Sequence, residues 1–461
     1  MERKIMMTIV IKKVNQPIAD HSSQFVHLTD QTMEERKQAL LRLMAERGLS
    51  ALVIYADKEH GSNFEYLTGF IPRFEEGLQI LNQDGSSTLI LGNENYNKVR
   101  YSRTPSEGKK CSLFSLPNQP MQEVSELDNL LADTTIDTRQ KVGLVGWKLI
   151  PAMTDQYDLP HFIINALENR IGKENLVNAT GLYIDPAYGA RVTNNANEIA
   201  HYEYGSSLAS DAVLDAMNQL SVGKSETEIG QLLTKEGQYQ TVVTIAAFGQ
   251  RFLNANLYPL DKPLKLSDKV ALTVAYRGGL SSRSGYAVET NEQMESIDPA
   301  YLEEVVKPYF AAYHYWLTTI RIGQKGGDFF KQFNDFYPQS NYGWELCPGH
   351  LTANEEWLSS PFYPGSKATV QSGMIFQVDF IPSQVGHNGI SAESTVAIAD
   401  EELRHNIQED YPELWERIQA RRNYLKTELN IQLSEELLPL ASTLAYYRPF
   451  FLNKDLALTI Q

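Results

Sequence analysis

From Glu34 to Arg47 apolar residues recur at helical spacing between charges. Ala39, Leu40, Leu43 and Met44 share one face, and Gly48 follows as a stop. The unbroken apolar run Leu49–Tyr55 predicts a buried strand. Gly77–Asn82 and Ser87–Leu91 predict a strand pair joined through Asp84-Gly85, a hairpin-type turn. Val142–Val145 is a further short apolar run. Strands alternating with helices predict an α/β domain over roughly the first 185 residues. Pro186, Gly189 and the polar run Thr193-Asn194-Asn195 then read as a linker. Beyond it, Glu198–Gln219 predicts a long helix and Tyr301–Ile320 a stronger one. In the second, Leu302, Val305, Val306, Tyr309, Phe310, Tyr313, Trp316, Leu317 and Ile320 form one broad stripe, which reads as core and not as a ligand box. Val270–Tyr276, Ala368–Gln371 and Met374–Phe380 predict strands. The chain from Asp400 onward is rich in Leu, Tyr, Phe and Trp, so it should pack on the body.

The chain has 461 residues, enough for two domains at ~100–200 residues each. Lys and Arg total 41 against 57 Asp and Glu, a formal charge of −16. That balance argues against nucleic-acid binding, which needs clustered cations. Two cysteines, Cys111 and Cys347, exclude a disulfide framework and a Cys-based zinc site. Met1–Lys13 lacks the apolar core of a signal peptide, and no apolar run reaches the ~18 residues of a membrane span. The expectation is a soluble, cytoplasmic protein.

Three potential metal ligands stand in the second half: His350 in Cys347-Pro348-Gly349-His350, Asp379 in the run Gly373–Pro382, and Glu393 in Gly389–Val396. The two acids lie in or beside strand-like segments, where a carboxylate must be paired, protonated or bound to a cation. Each also has a plain reading, as a core histidine or a strand-edge acid facing water.

Taken in order, Gly-His, then Gly-Met with an acid five residues after the Met and a Pro three further on, then an acid two residues after Ile-Ser, resemble the creatinase/aminopeptidase P superfamily, which includes prolidases and methionine aminopeptidases. Tyr66-Leu67-Thr68-Gly69-Phe70, Arg191 with Asn197-Glu198-Ile199, and Asp261-Lys262-Pro263-Leu264 add to the resemblance, which covers nearly the whole chain. It implies an α/β (α+β) fold: a smaller N-terminal creatinase-like domain over residues 1–190 and a pita-bread domain over 191–461, usually in a homodimer.

The family's peptidases hold two divalent cations with two Asp, one His and two Glu. His350 and Glu393 match the third and fifth ligands, and Asp379 stands where the family has Glu. The two Asp positions fall on Thr273 and Ser284, and no carboxylate occurs between Asp268 and Glu289. A further substrate-side His would align near Asn256, yet no His occurs between His201 and His314. The expected cofactor is therefore none, or a single Mn, Fe or Zn ion on His350, Asp379 and Glu393. Creatine amidinohydrolase, a metal-free member, suggests His350 and Glu393 as an acid/base pair. Asp379 would then orient the His or raise the pKa of Glu393.

The run Arg277–Gly285 replaces acids with two arginines and three serines. It reads as a substrate pocket, with Arg283 and Ser284 as donors, or as a solvated turn. Arg251 and Asn256 are further substrate-binding candidates. Glu355-Glu356-Trp357 follows His350 where relatives carry a second His-Glu, but that His is absent and no role is assigned. The reading is a hydrolase of a C–N bond in a small amino-acid-like, amidino or peptide substrate. The alternatives are a mononuclear metal-dependent aminopeptidase and a non-catalytic ligand-binding protein.

Overall fold

The computed structural model describes residues 8–20, 23–117, 119, 126–150, 155–250 and 258–461. It divides into two compact units, Leu28–Val192 and Met1–His27 with Thr193–Gln461. The start of the chain thus clusters with the larger unit. Ile9–Lys13, read from sequence as part of the first 190 residues, pairs antiparallel with Leu456–Ile460.

The smaller unit is built on a six-stranded sheet in the order Glu107–Lys110, Ser87–Leu91, Gly77–Asn82, Leu49–Ala56, Lys141–Val145, Leu176–Asn178. Leu49–Ala56 is buried at all but one position, because a central strand covered on both faces needs no polar alternation. Gly77–Asn82 and Ser87–Leu91 pair as the hairpin that Asp84-Gly85 predicts.

In the larger unit, the helix Ala196–Gln219 starts at a capping box made by Asn195 and Glu198. It lies against the strands Lys269–Tyr276 and Gly279–Tyr286. These two pair antiparallel through the turn Arg277-Gly278, with Ile245–Phe248 on the other side of the first. Gly278 has φ +101°, and a Cβ there would stand 2.1 Å from the Tyr202 carbonyl oxygen, so only glycine fits. A second sheet runs His350–Leu351, Ile375–Val378, Ser394–Ile398, Leu437–Pro439.

The apolar stripe over Tyr301–Ile320 is buried throughout. Its helix opens with a wide turn, Leu302–Val306, before the regular Lys307–Thr319. Pro308 explains the wide turn, since it has no N–H to donate and its ring crowds the carbonyl four residues back. Ala368–Gln371 is not a strand. Only Thr369 makes an isolated bridge, to Lys325, as the segment follows the loop before the helix Gly326–Phe336. The C-terminal chain packs as its composition predicts, with Leu437–Ala441 and Leu444–Tyr447 buried.

Candidate active site

Strand register brings the three candidate residues together. His350 pairs with Gln377, and Val378 pairs with Ser394. Asp379 and Glu393, each one residue beyond that last pair, therefore reach the same end of the sheet. Gly349, at φ +108°, lets the chain turn into His350. A Cβ there would crowd the Gln377 carbonyl at 3.0 Å and the Trp316 indole at 3.2 Å.

His350 is fully buried. Its Nδ1 lies 3.1 Å from the Leu351 carbonyl, an acceptor only, so Nδ1 carries a proton. Nε2 stands 2.9 Å from a Glu356 oxygen and 3.6 Å from an Asp379 oxygen. Neither carboxylate is aligned with the ring nitrogen, so Nε2 has close negative neighbours but no directed hydrogen bond. Burial alone would push the imidazole pKa down, but Glu356 and then Asp379 outweigh it and hold His350 well above its ordinary value. Trp357 stacks on the imidazole, with ring centroids 4.0 Å apart and planes 19° from parallel.

Glu356 and Trp357 reach His350 because Leu351–Ser359 folds back on itself. The Leu351 amide donates to the Ser359 carbonyl and the Leu358 amide to that of Leu351. Glu393 is buried as well. Burial first, then the charges of Asp379 and Glu356, drive its pKa well above the usual carboxylate range, which favours the protonated form. Asp379, Trp357 and Cys347 line a cleft of about 630 Å³.

Thr273 and Ser284, where the resemblance placed the two Asp ligands, belong to a chain of hydroxyls. Thr273 Oγ1 donates to Ser282 Oγ at 3.1 Å, Ser282 meets Ser391 at 2.7 Å, and Ser391 meets Ser284 at 3.1 Å. Here the residues present do not fit a dinuclear centre. Two close cations need bridging carboxylates, and these four oxygens are neutral and bonded to one another. Among the described residues, no group of three or more His, Cys, Asp and Glu side chains is arranged to hold a metal ion.

Arg283 does not line the cleft. It is fully buried, and its guanidinium donates to the carbonyls of Tyr446, Ser282, Glu393 and Thr443 and to the Ser394 hydroxyl. Among the described residues, no carboxylate comes within ion-pair distance of it. The expected inward donor is therefore an anchor that ties the C-terminal chain to the backbone carrying Glu393. The nearby Tyr309 hydroxyl accepts the Ala392 amide at 2.8 Å. Arg251 and Asn256 lie outside the described residues.

Residues 36–185 match the family model of the Creatinase/Prolidase N-terminal domain. Among solved structures, the prolidase from Pyrococcus horikoshii OT3 is similar over 79% of this chain and 95% of its own, at 18% identity and TM-score 0.59. The X-Pro aminopeptidase from Thermotoga maritima MSB8 covers 79% and 95%, at 17% identity and TM-score 0.60. The prolidase from Pyrococcus furiosus covers 78% and 96%, at 19% identity and TM-score 0.56. The chain has the fold of the creatinase/aminopeptidase P/prolidase superfamily. Comparison with curated proteins finds no match by sequence. No helix among the described residues is long and apolar enough to cross a membrane.

The sequence reading assigned no role to Glu356, the acid closest to the His350 ring. The acidic pair beside Trp357 was the signal. Sequence spacing alone does not say which acid a folded-back loop returns to the ring.

Proposed function

We propose that this protein hydrolyses a C–N bond in a small amino-acid-like, amidino or peptide substrate without the pair of cations its relatives' fold can carry. The observation that carries the reading is the contrast at the site. Neutral hydroxyls stand at Thr273 and Ser284, while His350 Nε2 has Glu356 at 2.9 Å and Asp379 at 3.6 Å, with Glu393 buried near them.

The chemistry follows from the atoms. Nδ1 of His350 keeps its proton on the Leu351 carbonyl, which leaves Nε2 as the nitrogen that can gain or give up a proton. An imidazolium there can protonate a departing nitrogen. The carboxylates of Asp379 and Glu356 are partly exposed, at 21% and 16%, and can take a proton from an attacking water. Glu393, whose raised pKa favours its protonated form, can in that form donate a hydrogen bond to the oxygen on which charge develops.

A second reading rests on the placing of His350 Nε2 between two carboxylates, 2.9 Å from Glu356 and 3.6 Å from Asp379. His350, Asp379 and Glu356 are donors of the right kind for a single divalent cation, but they would have to rearrange to hold one, since no such group among the described residues is arranged for a metal ion. Such an ion would polarise a substrate carbonyl.

The test is hydrolysis of a panel of small amides, amidines and dipeptides by the full chain after exhaustive chelation. Activity that survives chelation and disappears in Glu393→Gln and His350→Ala supports the first reading. Activity restored only by Mn, Fe or Zn selects the second. No hydrolysis under either condition leaves a binding protein.

A further inference from the structure

Gly343, Glu345, Leu346 and Cys347 form one wall of the cleft that Asp379 lines. The His350 ring is fully buried, while the Asp379 side chain is 21% exposed, so this cleft is a way in from solvent to the acid/base cluster. The wall enters the left-handed region twice, at Gly343 with φ +66° and at Leu346 with φ +64°. Gly343 is required there, because a Cβ would stand 2.2 Å from the Ser383 carbonyl oxygen. A leucine in the same conformation is strained, since its Cβ crowds the following carbonyl oxygen. Its neighbours hold it in place. Trp344 is buried and its indole N–H donates to the Tyr337 carbonyl at 2.7 Å, and the Pro348 carbonyl accepts the Trp316 indole N–H at 2.6 Å. The Leu346 side chain is 76% exposed, so burial within the chain offsets little of the strain. Glycine or asparagine would suit the fold better at this position. What leucine adds is apolar surface on the cleft, in one lining with Trp357 and Ile381.

We infer that Leu346 is a specificity residue: its side chain contacts an aliphatic or aromatic group of the molecule that enters the cleft, and favours substrates that carry such a group over shorter ones. Trp357 and Ile381 supply further apolar wall. The polar end of the molecule is directed to Asp379. Because Trp344 and Pro348 fix the backbone around Leu346 before a ligand arrives, this turn does not have to be ordered on binding. Two further ligand methylenes covered by these side chains are worth about tenfold in affinity. The inference rests on the functional reading above only in taking the cleft as the way to Asp379, since binding is measured without turnover.

The test titrates the full chain with three neutral probes, acetamide, butyramide and hexanamide, and reads binding by saturation-transfer NMR. Hexanamide should bind about tenfold tighter than butyramide, with acetamide weakest. In Leu346→Gly that ratio should fall to about threefold or less. Leu346→Asn, polar and also tolerant of the left-handed backbone, should lose the preference as fully, and Leu346→Met should keep it. The melting temperature of Leu346→Gly should hold or rise, because glycine adopts this φ freely and the side chain it removes is exposed. A fall of several degrees would show that Leu346 packs within the fold, and overturns the inference. So does a native chain that binds hexanamide no tighter than butyramide, a ratio unchanged in Leu346→Gly, or no binding of any probe. Length-dependent binding that needs Leu346, without hydrolysis of any amide, leaves the inference standing and removes the hydrolase reading. Hydrolysis with a KM indifferent to chain length and to Leu346→Gly does the reverse.

Discussion

Two clusters in the larger unit differ in how they satisfy their polar atoms. At Thr273, Ser282, Ser391 and Ser284, hydroxyls bond to one another in a chain and leave no charge. At His350, Glu356, Asp379 and Glu393, charges crowd together, and the ring nitrogen at the centre has no aligned partner. The first half is closed on itself and costs little to keep. The second is an unfinished network in a low-dielectric place, which a protein keeps only at a cost in stability. Polar groups held in that state are suited to a ligand or a reaction, and the closed half is suited to neither.

The sharpest way to break the comparison is at His350. His350→Ala is expected to abolish hydrolysis by ~10²–10⁴-fold, the usual contribution of a positioned acid or base. It should also destabilise the fold by ~3 kcal/mol, because Glu356 and Asp379 lose their cation. Steady-state kinetics and urea unfolding read the two effects.

Converting the closed half is the second test. Thr273→Asp with Ser284→Asp places two acids among hydroxyls and should cost ~2–4 kcal/mol without metal. Added Mn should restore most of that stability and raise the melting temperature, because the variant then has the missing carboxylates. A melting temperature indifferent to Mn would mean that these positions do not face the site.

The pH dependence sharpens the charged half. His350 has its folded pKa raised, so the stability it contributes is complete below its ordinary ~6.5 and is lost as pH rises through the folded value. Glu393 is raised too. Its contribution is likewise complete below the ordinary ~4.5 and is lost as pH rises through the folded value. The folded state therefore binds more protons, and unfolding free energy should fall as pH rises, through Glu393 from about 4.5 upward and through His350 from about 6.5 upward. The slope should approach ~1.4 kcal/mol per pH unit for each extra proton held, and should shrink in His350→Gln.

The smallest effect is expected in the closed half. Ser282→Ala removes the shared member of the hydroxyl chain and should cost ~1 kcal/mol with little change in hydrolysis. A loss of activity comparable to that of His350→Ala would move the hydroxyls into the chemistry.

Much of the fold was legible because apolar periodicity is local. The Gly77–Asn82 and Ser87–Leu91 pair and the helix ending at Gln219 follow from runs and turn residues alone. What failed depended on partners distant in sequence. Ile9–Lys13 is a strand only because Leu456–Ile460 lies beside it, and Ala368–Gln371 has no strand to pair with. Around the site, the absence of any acid between Asp268 and Glu289 was legible because it is a property of the sequence alone. Sequence could not show that the hydroxyls would bond to one another. Nor could it show that Arg283 would spend its donors on the carbonyls of Tyr446 and Thr443, more than 150 residues away.

The central claim is that the Thr273 and Ser284 half cannot help hold a second cation. Metal content per chain decides it, by mass spectrometry on tag-free protein exchanged against Mn and Zn, with His350→Ala alongside. The account predicts no more than one ion per chain, and none in His350→Ala. Two ions per chain in the native protein would contradict it.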